Sequence, residues 1–147
     1  MTFGRHLLLD LYGCTNRTLL LSEPNLEGCL SLAATKAGAT VRSYHNHGFL
    51  DRETGEEAWS ITVILEESHV AAHIWPNTGF VSLDMYTCGH QADPMLCLDY
   101  LLEMFQPDNY SLKFIHRGEG LGKVSVTKGE GKKQPVFVTD VKVRKSE

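Results

Sequence analysis

The sequence has no long apolar run, and no stretch approaches the roughly 20 consecutive apolar residues that a transmembrane helix needs. It also shows no signal-peptide pattern, because Met1 to His6 lead directly into a strand-like pattern. A hydrophobic fraction of 42% and a charged fraction of 22% are typical of a folded soluble domain. We therefore expect a cytoplasmic protein without a membrane partner.

The four cysteines do not form a disulfide pattern. Cys14, Cys29, Cys88 and Cys97 include no C-x-x-C pair, and no secretion signal precedes them, so we expect free thiols. The net charge is −4, and the basic residues that concentrate after Gly118 are mixed with acidic ones. This mixture favours a solvated segment over a nucleic-acid-binding surface.

Alternating and helix-spaced apolar residues predict the element order β-α-β-β-β-β-α-β. Leu7, Leu9 and Leu11, for example, alternate with other residues as in a strand with one buried face. The predicted strands are 5–12, 40–45, 59–66, 69–75, 80–87 and 110–116, and the predicted helices are 24–37 and 94–105. The polar run 46–57 is predicted to be a loop or the end of a hairpin. Hairpin-like links between the central strands favour the α+β class: a two-layer sandwich with a mainly antiparallel sheet and two helices on one face.

The composition changes at Gly118, after which glycines and lysines dominate. Such a composition predicts a linker, and the valines from Val136 to Val143 allow one terminal strand. We therefore predict one core domain over residues 1–117 and a linker with a terminal strand over residues 118–147.

The stretch 66–89 concentrates reactive side chains between predicted strands. It contains the hydroxyl of Ser68, the imidazoles of His69 and His73, and the thiol of Cys88. The serine lacks the G-x-S-x-G elbow of many hydrolases. A zinc site from His69, His73 and Cys88 would need a helix where the pattern predicts a strand, and no H-E-x-x-H motif is present. These residues predict a site and leave its reaction open.

The sequence contains three motifs: the run Glu67-Ser68-His69-x-x-x-His73-x-Trp75-Pro76, the run Asp84-x-x-Thr87-Cys88-Gly89, and the opening Gly4-Arg5-His6-Leu7. Together they resemble the small prokaryotic S-adenosylmethionine decarboxylases. The similarity covers roughly residues 3–117, and the joint spacing of Ser68, His73 and Cys88 is its most specific part. It implies a pyruvoyl-dependent decarboxylase, which is a lyase.

This resemblance implies an inactive proenzyme, or zymogen, that cuts itself between Glu67 and Ser68. The products would be a β chain of residues 1–67 and an α chain that begins at residue 68. Ser68 would become a covalent pyruvoyl group that forms the Schiff base with the substrate. Neither pyridoxal phosphate nor a metal ion is then expected.

The resemblance also assigns roles to three other side chains. His73 is the proton acceptor in processing, Ser60 assists its first step, and Cys88 is the proton donor in catalysis. Histidine suits proton removal because its unperturbed pKa is about 6.5. Ser68 and His73, however, would face opposite sides of an unbroken strand. We therefore predict a bulge or bend between them.

The substrate-binding positions fit the family less closely than the catalytic ones. Trp75 matches the tryptophan that contacts the adenine in the family, and His47 or Phe49 would supply the second aromatic ring. The glutamate that the family carries after the proline is Asn77 here. This change replaces a charge-assisted hydrogen bond by a weaker neutral one.

Three functions stay open. The first is decarboxylation of S-adenosylmethionine for polyamine (spermidine) biosynthesis. The second is pyruvoyl-dependent decarboxylation of L-ornithine or L-arginine, with Asp51, Glu66 or Asp84 as the anion for the distal cation. The third is a non-processing pseudoenzyme that regulates a partner. For the enzymes, the resemblance implies a homodimer of processed protomers, with sites completed across the subunit interface.

Overall fold

One antiparallel sheet forms the centre of the described part of the chain, which is residues 4–118, 123–130 and 136–142 of the computed structural model. The strands are β1 (Gly4–Tyr12), β2 (Val41–Leu50), β3 (Glu57–Leu65), β4 (Ser68–Trp75), β5 (Phe80–Cys88), β6 (Asn109–Arg117), β7 (Lys123–Glu130) and β8 (Val136–Lys142). The helices are α1 (Arg17–Leu20), α2 (Glu23–Lys36) and α3 (Leu98–Phe105), with a 3-10 helix (Pro94–Cys97) before α3. The strand order is β2-β3-β4-β5-β1-β6-β7-β8, and every neighbouring pair is antiparallel.

Alternation along the strands gives the sheet one buried face and one open face. In β1, Leu7, Leu9 and Leu11 are at most 1% exposed, whereas His6 and Asp10 are only partly buried. Burying one leucine side chain completely contributes roughly 2 kcal/mol of transfer free energy. The open face is the side of the sheet that carries His6 and Asp10 together with the side chains level with them on neighbouring strands.

The helices cover the buried face. α2 begins after Ser22, whose hydroxyl accepts a backbone hydrogen bond of 3.3 Å, and Pro24 lies in its first turn. Leu26 and Leu30 of α2 and Phe105 of α3 are fully buried in the same core as the leucines of β1. Within the described residues, none of these helices is both long and apolar enough to cross a membrane.

The predicted α+β class is confirmed, with an antiparallel sheet and its helices packed on one face. The helix predicted over 24–37 is α2, and the helix predicted over 94–105 divides into the 3-10 helix and α3. The structure also contains a short helix, α1, that the sequence did not predict. Asn16 caps α1 by accepting a hydrogen bond from Leu19 N, and four residues are too few to show helical periodicity.

Two segments that the sequence predicted to be irregular contain strands. The run 46–57, predicted to be a loop or the end of a hairpin, is the end of the β2–β3 hairpin, in which β2 continues to Leu50 and β3 begins at Glu57. β2 is an edge strand that is largely exposed on both faces, so its residues need no polar and apolar alternation. The linker predicted after Gly118 likewise contains β7, and β8 lies within the range predicted for a terminal strand.

Candidate active site

A bend between β3 and β4 carries the predicted cleavage site to the end of β5. Glu66 and Glu67 form the bend, and Ser68 opens β4 directly opposite Thr87. Thr40 N donates to the Glu67 carboxylate and lies 3.1 Å from each of its oxygens. This bond, together with the strand pairing of Ser68, holds the peptide bond between Glu67 and Ser68 in place.

Cys88, the last residue of β5, directs two donors at the carbonyl oxygen of Glu67. Its backbone N–H donates to that oxygen at 3.3 Å, and its thiol Sγ lies 2.6 Å from the same atom. Donors at a carbonyl oxygen stabilise the negative charge that develops when a nucleophile attacks the carbon. Glu67, Ser68 and Cys88 therefore form one cluster that is suited to acyl transfer.

Ser60 and His73 form a second cluster on the open face. They lie opposite each other on β3 and β4, and a hydrogen bond of 3.0 Å joins Ser60 Oγ to His73 Nδ1. His47 lies opposite Ser60 on β2, and Ser82 lies opposite His73 on β5, so a polar row crosses four strands. Because the hydroxyl engages one ring nitrogen, the other nitrogen of this exposed imidazole is available for proton transfer.

Ser68 and His73 do not meet within one chain. β4 pairs with β3 and with β5 without any register shift, so the predicted bulge or bend between the two residues is wrong. The bend lies at 66–67, ahead of Ser68. At a rise of about 3.3 Å per residue, the two positions are about 16 Å apart, and strand alternation gives them opposite faces.

Trp75, at the far end of β4, is held by contacts on two sides. Its ring centroid is 5.3 Å from that of Phe80, and its Nε1 donates to Asp51 Oδ2 at 3.1 Å. Asp51 also accepts hydrogen bonds from the backbone N–H groups of Thr54 and Glu53 in the β2–β3 turn. These two bonds and the one from Trp75 lower the pKa of the Asp51 carboxyl. The indole is therefore a fixed flat surface.

The β2–β3 register distinguishes the two candidates for a second aromatic ring. His47 belongs to the polar row of His73, whereas Phe49 lies opposite Ala58. Trp59 pairs with Ile74 at the end of the β3–β4 ladder, so the next two residues, Ala58 and Trp75, lie level with each other. Ala58 is only 1% exposed, so its methyl group is covered, and Phe49 and Trp75 lie on the two strands that flank it. Phe49 is the better placed of the two.

Asn77 is exposed in the turn between β4 and β5. It borders a cavity of about 320 Å³ that Glu56, Trp59 and Pro76 also line. The Oε2 atom of Glu56 is buried and has no hydrogen-bond partner. The neutral amide of Asn77 therefore shares its cavity with a carboxylate, which sequence analysis missed because Glu56 belongs to a different turn.

Three neighbouring strands bring His6, Asp84 and His69 together on the open face. Asp84 Oδ1 lies 3.1 Å from Nε2 of His6 and 3.1 Å from Nε2 of His69. The ring centroid of Tyr86 is 5.4 Å from that of His6 and 6.1 Å from that of His69. Sequence analysis missed this cluster because its members lie on β1, β5 and β4. The register places His6 and His69 on either side of Tyr86, and Asp84 lies two residues from Tyr86 on the same face of β5.

The zinc site considered from the sequence is not assembled. His69 contacts Asp84 and His73 contacts Ser60, at different levels of β4. Across the residues that the structure describes, no group of three or more His, Cys, Asp or Glu side chains is arranged to hold a metal ion.

Cys88 should be the one thiol that reacts readily in the native chain. All four cysteines are free, and Cys14, Cys29 and Cys97 are buried whereas Cys88 is partly exposed. Burial raises the pKa of Cys14 to about 12, of Cys29 to about 11 and of Cys97 to about 12, so these thiols stay protonated. We expect iodoacetamide at about pH 8 to label one thiol per native chain and all four in denaturant, as read by peptide mass spectrometry.

The control for this labelling is Cys88→Ala, which should take up no reagent while it is folded. Labelling of a buried cysteine at the rate of Cys88 in the native chain would contradict the expectation.

Comparison with known proteins adds independent findings. The family model described as S-adenosylmethionine decarboxylase matches residues 5–118. The S-adenosylmethionine decarboxylase proenzyme of Brevibacillus brevis is 36% identical over 131 residues, which cover 89% of this chain and 92% of that protein. The proenzyme of the same name from Caldicellulosiruptor saccharolyticus is 33% identical over 115 residues, which cover 78% of this chain and 88% of that protein.

A solved structure has the same fold. The crystal structure of the adenosylmethionine decarboxylase from Aquifex aeolicus matches with a TM-score of 0.68 and 28% identity, and the match covers 81% of this chain and 93% of that one. The segment matched by the family model, residues 5–118, contains all three clusters described above.

Proposed function

The chain belongs to the S-adenosylmethionine decarboxylase family, and on this premise we propose that it is a proenzyme that cuts itself between Glu67 and Ser68. The cut leaves a β chain of residues 1–67 and an α chain that begins at residue 68, with residues 1–117 as the decarboxylase core. The observation that carries the proposal is the pair of donors that Cys88 directs at the carbonyl oxygen of Glu67.

In the first step, Ser68 Oγ attacks the carbonyl carbon of Glu67. A C–O bond forms, the C–N bond breaks, and the nitrogen of Ser68 leaves as an amine. The two Cys88 donors stabilise the oxygen on which negative charge develops. Loss of the Ser68 Cα proton then expels the Glu67 carboxylate, and the resulting dehydroalanine takes up water and loses ammonia to become a pyruvoyl group. The residues present fit that group, because its precursor Ser68 adjoins a carbonyl already bound by donors.

His73 is the base for the Cα proton, and Ser60 holds its ring. Because about 16 Å separates His73 from Ser68 along β4, a single chain does not bring the base to its proton. A second copy of the chain can supply His73 and Ser60 to the Ser68 end of the first. This separation supports a homodimer of processed protomers in which each site draws residues from both copies.

Once formed, the pyruvoyl ketone supplies the electron sink for loss of carbon dioxide from an amino acid, the chemistry that pyridoxal phosphate supplies in other enzymes. Cys88 then delivers a proton to the substrate carbon that lost its carboxylate. Its thiol suits this role because it lies at the end of β5 beside Ser68 and is only partly buried. The chain itself thus provides both the cofactor precursor and the acid.

The preferred substrate is S-adenosylmethionine, whose decarboxylated product is an aminopropyl donor for spermidine synthesis. Trp75 and Phe49 offer two flat surfaces for the adenine, and His47 lies in the neighbouring row of side chains. Asn77 supplies an amide for the ribose hydroxyl groups.

A basic amino acid such as ornithine or arginine would need a carboxylate for its distal cation. Asp51 is engaged by Trp75, and Asp84 is engaged by two histidines. Glu66 pairs with Arg42 at 3.0 Å, where both side chains are 58% exposed. These existing contacts of the three candidate carboxylates favour S-adenosylmethionine over the basic amino acids.

The test is release of carbon dioxide from carboxyl-labelled S-adenosylmethionine, ornithine and arginine by the purified protein. We expect release from S-adenosylmethionine alone. Release from ornithine or arginine alone would make that amino acid the substrate in place of S-adenosylmethionine and would leave the proposed decarboxylation mechanism unchanged. An uncut chain of 16.4 kDa that releases nothing would favour a regulatory pseudoenzyme.

Asn77 allows a finer test of the same substrate. We expect Asn77→Glu to lower KM for S-adenosylmethionine about fivefold at unchanged kcat, because a charge-assisted hydrogen bond is stronger by about 1 kcal/mol. Asn77→Gln has the same length without the charge and should not lower KM. Equal KM values for the two variants would remove this position from ribose binding.

A further inference from the structure

Arg5 of β1 contacts the loop that follows Cys88. Its Nη2 donates to the backbone oxygens of Gly89, at 3.3 Å, and of His90, at 3.1 Å. Its Nη1 lies 3.5 Å from Asp93 Oδ2, and the two side chains are 21% and 32% exposed. One guanidinium group thus joins the start of this loop to its end.

The loop from Gly89 to Asp93 is fixed by a left-handed glycine and by hydrogen bonds at Ala92 and Asp93. Gly89 has a φ of +91°, a conformation that side-chain-bearing residues rarely adopt. The hydroxyl of the fully buried Thr87 donates to Ala92 O at 3.3 Å. Asp93 also caps the 3-10 helix through Oδ1, which accepts a hydrogen bond of 3.0 Å from Met95 N.

These contacts bear directly on Cys88, because Gly89 is its covalent neighbour. The planar guanidinium donates in a fixed fork, so it determines where the Gly89 and His90 carbonyls lie relative to Asp93. A displacement of about 1 Å at a reacting group can cost up to about a hundredfold in rate. The position of the Cys88 thiol is therefore sensitive to whether the Arg5 contacts are intact.

We propose that Arg5 is a positioning residue that sets where Cys88 delivers its proton. This inference rests on the proposed decarboxylation. After carbon dioxide leaves, the remaining electron pair takes one proton, either at the substrate carbon or at the carbon that was Ser68 Cα. The first outcome releases the amine product and, after hydrolysis, restores the ketone. The second leaves an N-terminal alanine on the α chain and, after hydrolysis, releases the decarboxylated substrate as an aldehyde. That chain has then lost its pyruvoyl group and is inactive.

The experiment measures the ratio of these two outcomes. For Arg5→Ala we expect about ten times more alanine-terminated α chains per carbon dioxide released than for the unsubstituted protein. Isolated α chains report this directly, because a pyruvoyl terminus blocks Edman degradation whereas an alanine terminus gives the sequence Ala-His-Val. Arg5→Lys keeps the positive charge but lacks the planar guanidinium, so its ratio of alanine-terminated chains to carbon dioxide should lie between those of Arg5→Ala and the unsubstituted protein. Arg42→Ala, which removes an arginine from an exposed ion pair, should match the unsubstituted ratio.

An unchanged ratio in Arg5→Ala together with a lower kcat would overturn the proposal and leave Arg5 a structural role. If Arg5→Ala does not fold, Arg5→Lys and Asp93→Asn carry the same test, and an unchanged ratio in both has the same meaning. A second readout does not depend on activity: in the uncut Ser68→Ala background, Arg5→Lys should change the rate of Cys88 alkylation several-fold. Failure of the proposed function is separate, because the unsubstituted protein would then stay uncut or release no carbon dioxide.

Discussion

Ser68→Ala is expected to remain a single chain of 16.4 kDa and to release no carbon dioxide from S-adenosylmethionine. Alanine removes the Oγ nucleophile, so no C–O bond to the Glu67 carbonyl carbon can form, and no pyruvoyl group arises. The expected loss of turnover is complete, because without this group no electron sink remains. Denaturing mass spectrometry reports the cut, and carboxyl-labelled substrate reports the turnover.

The matched control for this variant is Ser31→Ala. Ser31 lies on α2, which contributes no residue to the cluster of Glu67, Ser68 and Cys88 or to the cluster of Ser60 and His73. It should be cut and active like the unsubstituted protein, since alanine is also the better helix former. If the Ser68→Ala chain still separates into two fragments at this site, Ser68 is not the nucleophile and the proposed origin of the cofactor fails.

His73→Ala and Ser68→Ala, each uncut when expressed alone, are expected to restore cleavage when co-expressed. In a mixed pair, the chain with an intact Ser68 receives the intact His73 of the other copy. The physical reason is the separation of about 16 Å between the two positions along an unbroken β4. Only the His73→Ala chains should be cut, which a mass tag on one of the two chains would reveal.

The control for the co-expression is a pair in which both chains carry His73→Ala, and this pair should stay uncut. No cleavage in the mixed pair, together with dimers in solution, would contradict a site shared between copies. Cleavage of His73→Ala chains on their own that leaves a pyruvoyl terminus would instead remove His73 as the base, whereas an N-terminal serine would show that water hydrolysed the ester. A rescue confined to the mixed pair supports both the homodimer and the roles of the two residues.

The alternation of Leu7, Leu9 and Leu11 was sufficient to predict β1, because each leucine is buried and the residues between them are not. β2 could not be delimited in this way. It lies at the sheet edge and is exposed on both faces, so burial imposes no pattern on its residues. The predicted end of this strand at residue 45 is therefore too early, because β2 continues to Leu50.

The cluster of Glu67, Ser68 and Cys88 and the cluster of Ser60 and His73 also combine features that the sequence predicted with contacts that it did not. The spacing of Ser68, His73 and Cys88 in two neighbouring motifs carried the family resemblance, because these residues lie close together in the chain. The spacing did not show that Cys88 binds the Glu67 carbonyl while His73 binds Ser60, at opposite ends of β4. A bulge would have brought Ser68 and His73 together, but the continuous register excludes it.

The sequence by itself determined the fold class and the order of most elements, and it predicted the candidate site residues of the stretch 66–89. Local patterns of burial and short motif spacings are sufficient for these, because both depend on near neighbours along the chain. The tertiary structure alone decided the contacts of Arg5 with the loop after Cys88, the shared carboxylate of Asp84, and the separation of Ser68 from His73. Each of these depends on strand order and register, which bring together residues distant in sequence and which no local pattern specifies.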